Sequence, residues 1–226
     1  MPINARPTKA FFTKTLVKDI HVIDAILDLV DNSIDSYLKN NLQDRKRILI
    51  RFDDKQFIIE DNCGGIKKEK VNEHVFRFGE ATTDRVRTIG VYGIGLKRSI
   101  FKMGSDILIE SDDGENYFSI KIDKTWIEDE NNWELDFASE DVSGGTPMTR
   151  ITIKDLFQPI SEELTNAVFQ NKLLERIKNT YSIFTEERVD IEINSAKADY
   201  YDFKFLYDTE KFEPFHKKAD IDGVES

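Results

Sequence analysis

The chain has one cysteine, Cys63, among 226 residues, so no internal disulfide exists and packing must hold the fold. Its three histidines, His21, His74 and His216, are scattered and match no zinc spacing. No run of about 18 apolar residues is present to span a bilayer, and the opening MPINARPTKAFF lacks the apolar stretch of a secretory signal. The expectation is a cytoplasmic protein with no membrane partner. Positive charge is scarce as well: 32 Lys and Arg stand against 43 Asp and Glu, a formal charge of -11. Such a chain repels nucleic acid on average, and DNA contact would need a local basic patch or another domain. Repeats and low-complexity tracts are absent.

What is present is 39% apolar content, enough for one sizeable core or for a domain and part of another. The elements read as mixed α and β. Apolar residues at helical spacing (Ile23, Ile26, Leu27, Val30, Ile34, Leu38) predict a helix over about 18–39. ILIRF and KQFIIED are short strand-like runs, KKEKVNEHVFRF suggests a second helix, and GEATTDRVRTIGVYGIG is a long glycine-punctuated loop leading into a third helix, LKRSIFKM. SDILIES and NYFSIKID flank the turn DDGE as strands, and TRITIKD follows SGGTP as another. From about Ser161 a helix to about residue 184 and the strand RVDIEIN follow, which suggests the opening of a second domain.

Three stretches carry chemistry. In LDLVDNSIDSY and its flanks, Asp24, Asp28, Asp31, Asn32, Asp35 and Lys39 fall within about 100° of one another on a helix. Carboxylates so close repel, so the stripe is either a solvated face or the lining of a cation and phosphate site whose oxygens suit magnesium. In IIEDNCGGI, Asp61 ends a buried strand where it can accept from an exocyclic amine, and Gly64 and Gly65 let a flat ring approach the backbone. The bland alternative is an ordinary turn. In TIGVYGIGLKRSIF, Gly90, Gly93 and Gly95 precede a helix with Lys97 in its first turn, an arrangement whose free amides suit an anion. A plain loop is the alternative. Leu96 intervenes before Lys97, so this is not a Walker loop, and no third glycine makes it a dinucleotide fingerprint.

Taken in order, a helix with D-x-x-x-N, then DNCGG after a strand, GVYGIGLK before a helix and GGT before a strand, these segments resemble the GHKL ATPase superfamily over about residues 8–155. That superfamily comprises gyrase B, the large heat-shock chaperones, sensor histidine kinases, MutL and the Microrchidia (MORC) ATPases, and the motif style is closest to the MORC and MutL side. The resemblance implies an α+β two-layer sandwich of the Bergerat type, with a mixed sheet and ATP between sheet and helices. It implies ATP and Mg2+ as cofactors, Asn32 as the magnesium ligand and Asp28 as the base that activates water. Asp61 would bind the adenine amine, Gly65 and Ile66 would pack on the ring, and Thr146 would support Asp61. Gly90, Gly93, Ile94, Gly95, Leu96 and Lys97 would form the phosphate lid, with Lys39 a further phosphate contact.

Two departures from the family pattern bear on this. Cys63 stands where the turn usually has its first glycine. Asp28 stands where the family has glutamate, which puts the carboxylate about 1.5 Å short and predicts slow hydrolysis or a switch that binds ATP and scarcely turns it over. Residues 161–226 resemble the start of a transducer domain within a longer protein. A homodimer formed on ATP binding, with exchange of N-terminal segments through Phe11, Phe12, Leu16 and Val17, completes the expectation.

Overall fold

A computed structural model describes residues 8–71, 95–141 and 144–201. Alternation of apolar and polar side chains builds the sheet. The strands are β1 (Lys46–Phe52), β2 (Gln56–Asp61), β3 (Gly104–Asp112), β4 (Asn116–Ile122), β5 (Phe137–Asp141), β6 (Met148–Leu156), β7 (Val189–Ile193) and β8 (Ala196–Lys197). They hydrogen-bond in the order β5-β4-β3-β6-β2-β1-β7-β8. All described pairings are antiparallel except β1 with β7, so the sheet is mixed.

Register decides what the sheet buries. Ile193, Ile50, Ile59, Ile151, Ile109 and Ile120 stand side by side, one from each of six strands, and all six are buried. Branched side chains on a pleated surface fill such a row with little loss of rotamer freedom. The opposite face mixes polar side chains with the half-buried Leu49, Ile58 and Leu108. Glu60, Arg150 and Glu110 are cross-strand neighbours, with Arg150 on Glu60 at 2.6 Å and Tyr117 donating to Glu110 at 2.8 Å. One face therefore carries the helices and the other faces water.

The helical layer comprises α1 (Val22–Lys39), α3 (Gly95–Met103) and α6 (Phe169–Glu187), with α1 packed against both others. Shorter pieces are α2 (Lys68–Lys70), α4 (Lys124–Glu128) and α5 (Gln158–Leu164). Val22, Ala25, Ile26, Leu29, Val30 and Ile34 form the buried stripe of α1, and its larger members contribute about 1.5–3 kcal/mol each when fully buried. The single helix expected over 161–184 is two. Thr165 Oγ1 bonds back to the Ser161 carbonyl at 2.8 Å and Asn166 Oδ1 accepts from the Val168 amide at 3.0 Å, so local side-chain bonds outcompete the helix there. α6 bends again at Tyr181, where φ and ψ are -114° and 18°. The strand expected to open a second domain, β7, runs beside β1 from Lys46↔Val189 to Ile50↔Ile193. Residues 158–197 thus continue the same sheet and helical layer.

The N-terminal segment seats on its own chain. Lys9 is buried, with its ammonium 3.6 Å from the centre of the Trp126 ring and donating to the Trp126 carbonyl. Burial lowers the Lys9 pKa, against the pull of Asp129 and Glu130. A π-helical turn, Phe11–Thr15, follows. There the Phe12 ring meets Trp133 edge-on at 5.9 Å. Lys102 of α3 holds the Val17 carbonyl at 3.2 Å, and Phe101 stacks on Trp126 at 6.5 Å.

The two faces of β6 respond differently to truncation. Ile153, fully buried between Phe57 and Ile107 in register, should cost about 2–5 kcal/mol when replaced by Ala. Thr152→Ala on the opposite face should cost under about 1 kcal/mol. Urea denaturation of the two variants measures the difference.

Candidate functional site

One end of the site is built where α1 meets the end of β2. Asp61 follows Phe57 and Ile59 on the buried face, which carries a carboxylate into the interior. Ser33 of α1 donates to its Oδ2 at 2.7 Å and the Cys63 amide to its Oδ1 at 2.8 Å. Burial outweighs these donors and raises the Asp61 pKa to about 6. Ser36 holds the Cys63 carbonyl at 3.0 Å, so two hydroxyls on adjacent turns of α1 grip the turn after β2. Cys63 is fully buried and its thiol is pushed far up by desolvation, which makes it a packing residue and not a nucleophile.

The paired glycines answer to the fold. Gly64 and Gly65 have φ of +115° and +68°, and a Cβ on Gly65 would come within 2.0 Å of the Asp112 carbonyl oxygen. The turn is thereby pressed onto the end of β3, where the Ile66 amide donates to Ser111 Oγ at 2.8 Å. Ser111 is 3.2 Å from the Thr149 hydroxyl, and Thr149 is the register partner of Asp61. Thr146 is exposed in the loop before β6. The threonine paired with Asp61 in register is therefore Thr149, whereas Thr146, expected to support Asp61, precedes the strand.

At the other end, Asp28 lies one turn and a half before Ser33, about 7.5 Å along the helix. Arg98 and Ser99 of α3 both donate to its Oδ2, at 3.0 and 3.2 Å. Asn32 donates its amide nitrogen to the Asp28 carbonyl at 2.6 Å, which leaves Oδ1 as the acceptor of that side chain. Gly95 opens α3 against Asp28, a Cβ there falling 3.5 Å from the carboxylate carbon. Leu96 packs on the core and Lys97 is buried. Gly90, Gly93 and Ile94 lie outside the described residues. Lys39 is exposed in the last turn of α1, about 16 Å along the axis from Asp28, and the structure does not bring it into this group.

The third flank is α6. Arg176 pairs with Asp24 at 3.6 Å, and the Tyr181 hydroxyl lies 3.0 Å from the Leu27 carbonyl and 2.6 Å from Asp31 Oδ1. One hydroxyl proton serves one of these acceptors at a time. Burial raises the Asp31 pKa against the Tyr181 bond, and Asp28 and Asp35 push the same way. The acidic stripe is thus divided between two neighbours, with Asp28 facing α3 and Asp24 and Asp31 facing α6. Sequence reading missed Ser33, Arg98, Tyr181 and Thr149. Ser33 sits on the same helix as Asn32, and a helical wheel alone turns it toward the sheet.

α1 thus joins a buried acceptor at a strand end, through Ser33, to the start of a glycine-led helix, through Asp28. The family model for "Histidine kinase-, DNA gyrase B-, and HSP90-like ATPase" matches residues 20–155, more than half of the chain. The chain belongs to this ATPase family. Among its relatives in Arabidopsis thaliana, Protein MICRORCHIDIA 7 is 28% identical over 95 residues, 39% of this chain and 13% of that protein. Protein MICRORCHIDIA 4 is 31% identical over 97 residues, 39% of this chain and 11% of that protein. The aligned stretch is thus a small part of either relative. As a member of this ATPase family the chain binds ATP, in a sandwich of the expected α+β class. Among the described residues, no helix is long and apolar enough to cross a membrane.

The raised pKa of Asp61 has a signed consequence. The folded state holds this proton more tightly than the unfolded chain, so stability falls as pH rises from about 4 to about 6 and stays lower above, by about 3 kcal/mol. Asp61→Asn should remove that slope and stabilise the protein at pH 7 by about 1–3 kcal/mol. Denaturation midpoints of both proteins between pH 4 and pH 7 test this.

Proposed function

We propose that the chain is a magnesium-dependent ATPase module of low turnover that couples nucleotide binding to lid closure and self-association. The observation that carries this reading is the placement of a buried acceptor, Asp61, against Ser33 of α1 and of a carboxylate, Asp28, on the same helix against the start of α3. Asp61 takes the adenine amine, and an ionised carboxylate with two internal donors still has lone pairs to offer it. Gly65 and Ile66 floor the ring. Thr149, through Ser111, steadies the turn from the next strand.

Asn32 fits a hard cation, because its nitrogen is engaged and its exposed Oδ1 is an oxygen ligand. Magnesium held there by Asn32 would supply positive charge against the nucleotide phosphates. The residues themselves do the rest. Amides at the start of α3, a helix of nine residues, face the phosphates with the positive end of the helix dipole. Asp28 orients a water for in-line attack and accepts its proton. Closure and self-association draw support from α3, which touches Asp28 at its start and holds the Val17 carbonyl near its end.

A second reading, a switch that binds ATP and scarcely hydrolyses it, is favoured by one observation: Asp28 Oδ2 is already engaged by two donors. The variants that separate the readings are Asp28→Asn and Asp28→Glu. An ATPase predicts turnover lost in the first with ATP affinity kept, and turnover equal to or above the parent in the second. A switch predicts negligible turnover in all three proteins.

The site assignment is tested by calorimetry. Asn32→Ala and Asp61→Asn should each weaken ATP binding at least about tenfold. Thr149→Val should weaken it several-fold, and Thr146→Val should leave it unchanged. Unaltered affinity in the first two would remove the assignment. Sedimentation with magnesium and a non-hydrolysable ATP analogue, compared with ADP, reads self-association; a monomer under both conditions at high concentration counts against it.

A further inference from the structure

We propose that Arg98 is a further phosphate-binding residue of this site, its guanidinium passing from Asp28 to the γ-phosphate of ATP and so releasing Asp28 to act on water. The proposal rests on the ATP reading of the site. Its geometry begins with an incomplete ion pair. Arg98 reaches Asp28 Oδ2 through Nη2 at 3.0 Å, a one-atom contact where guanidinium and carboxylate usually meet through two. The neighbouring Nε is buried and has no acceptor among the described residues. A buried donor without a partner carries a desolvation cost that a satisfied one does not, so the Nε edge of this guanidinium calls for an acceptor that protein atoms do not supply.

The position suits a phosphate. Arg98 stands three residues after Gly95, in the first turn of α3, on the side that faces Asp28. Its side chain is 39% exposed, so the guanidinium is reachable from solvent while Nε is covered. A terminal phosphoryl group carries more negative charge than one carboxylate and has three acceptor oxygens, enough to take both Nε and Nη2. A lysine could not satisfy that edge, since it offers a point charge and no fork.

The transfer has a chemical consequence for Asp28. Oδ2 now accepts from both Arg98 and Ser99. Once Arg98 turns to the phosphate, Oδ2 keeps only the Ser99 bond and can accept a proton from water. Water oxygen then bonds to the γ-phosphorus as the bond from that phosphorus to the β–γ bridging oxygen breaks. ADP and inorganic phosphate leave, and the proton resides on Asp28. Arg98 meanwhile offsets the charge on the transferring group, which the acidic stripe of α1 would otherwise repel. Substrate arrival and base release are one event, so Asp28 is free only when there is a phosphate to hydrolyse.

The experiment compares the full chain with Arg98→Met and Arg98→Lys, using calorimetry with magnesium and either ADP or a non-hydrolysable ATP analogue, and a phosphate-release assay with ATP. Arg98→Met should weaken the analogue about 10–100-fold and ADP less than about threefold, since only the analogue has a γ-phosphate. Turnover should fall at least as far. Arg98→Lys, which keeps the charge and the helix, should restore part of the affinity but not the turnover. If the parent chain binds both nucleotides and Arg98→Met weakens neither, or weakens them equally, the proposal is overturned while the ATP reading stands. Turnover that rises in Arg98→Met also overturns it, by making Arg98 a brake on Asp28 and nothing more. A parent chain that binds neither nucleotide overturns both.

Discussion

The contact between the Asp61 carboxylate, the Ser33 hydroxyl and the Cys63 amide joins the two layers of the molecule at a point where water is excluded. Burying a charge there is unfavourable by itself, and two short donors only partly offset it. The neighbouring contacts depend on this one. Ser36 on the Cys63 carbonyl, Gly65 against Asp112 and Ile66 on Ser111 all require the turn to leave β2 in one direction. A protein built for stability alone would place an apolar residue at the end of that strand. The carboxylate costs the fold stability there, a cost that the proposed role in holding the adenine amine accounts for.

How much of this was legible in the sequence follows from the range over which each feature is decided. The period of α1, the alternation in KQFIIED and the paired strands around DDGE are local patterns, and each became the expected element. Asp61, Gly65 and Asp28 were singled out because motif order ties them to one another. Thr149 was not, because choosing it over Thr146 needs the register between β2 and β6. Arg98 and Tyr181 act across 70 and 150 residues of sequence, and no pattern near either one announces its partner. The break after α5 was hidden for the opposite reason: Thr165 and Asn166 act so locally that apolar periodicity runs straight across them.

α3 emerges as the element with the most to transmit. It is short, stiff and amphipathic, and its first turn lies on Asp28 whereas its last turn lies under the N-terminal segment. A shift at one end cannot be absorbed within nine residues of regular helix. Its flanks are also unlike each other. The α6 side of α1 is held by a buried tyrosine and an exposed ion pair, and the α3 side by Arg98 and Ser99 on one carboxylate oxygen of Asp28.

The seat of Lys9 has a spectroscopic consequence. The chain has two tryptophans, and both, Trp126 and Trp133, surround that ammonium and the Phe12 ring. Trp126 stacks on Phe101 of α3, two residues after the Ser99 that bonds Asp28. Emission on excitation of tryptophan therefore comes wholly from the place where the N-terminal segment docks, quenched or shifted by a cation over one ring and by the water that replaces it. The protein carries its own optical probe of that segment, connected to Asp28 through α3.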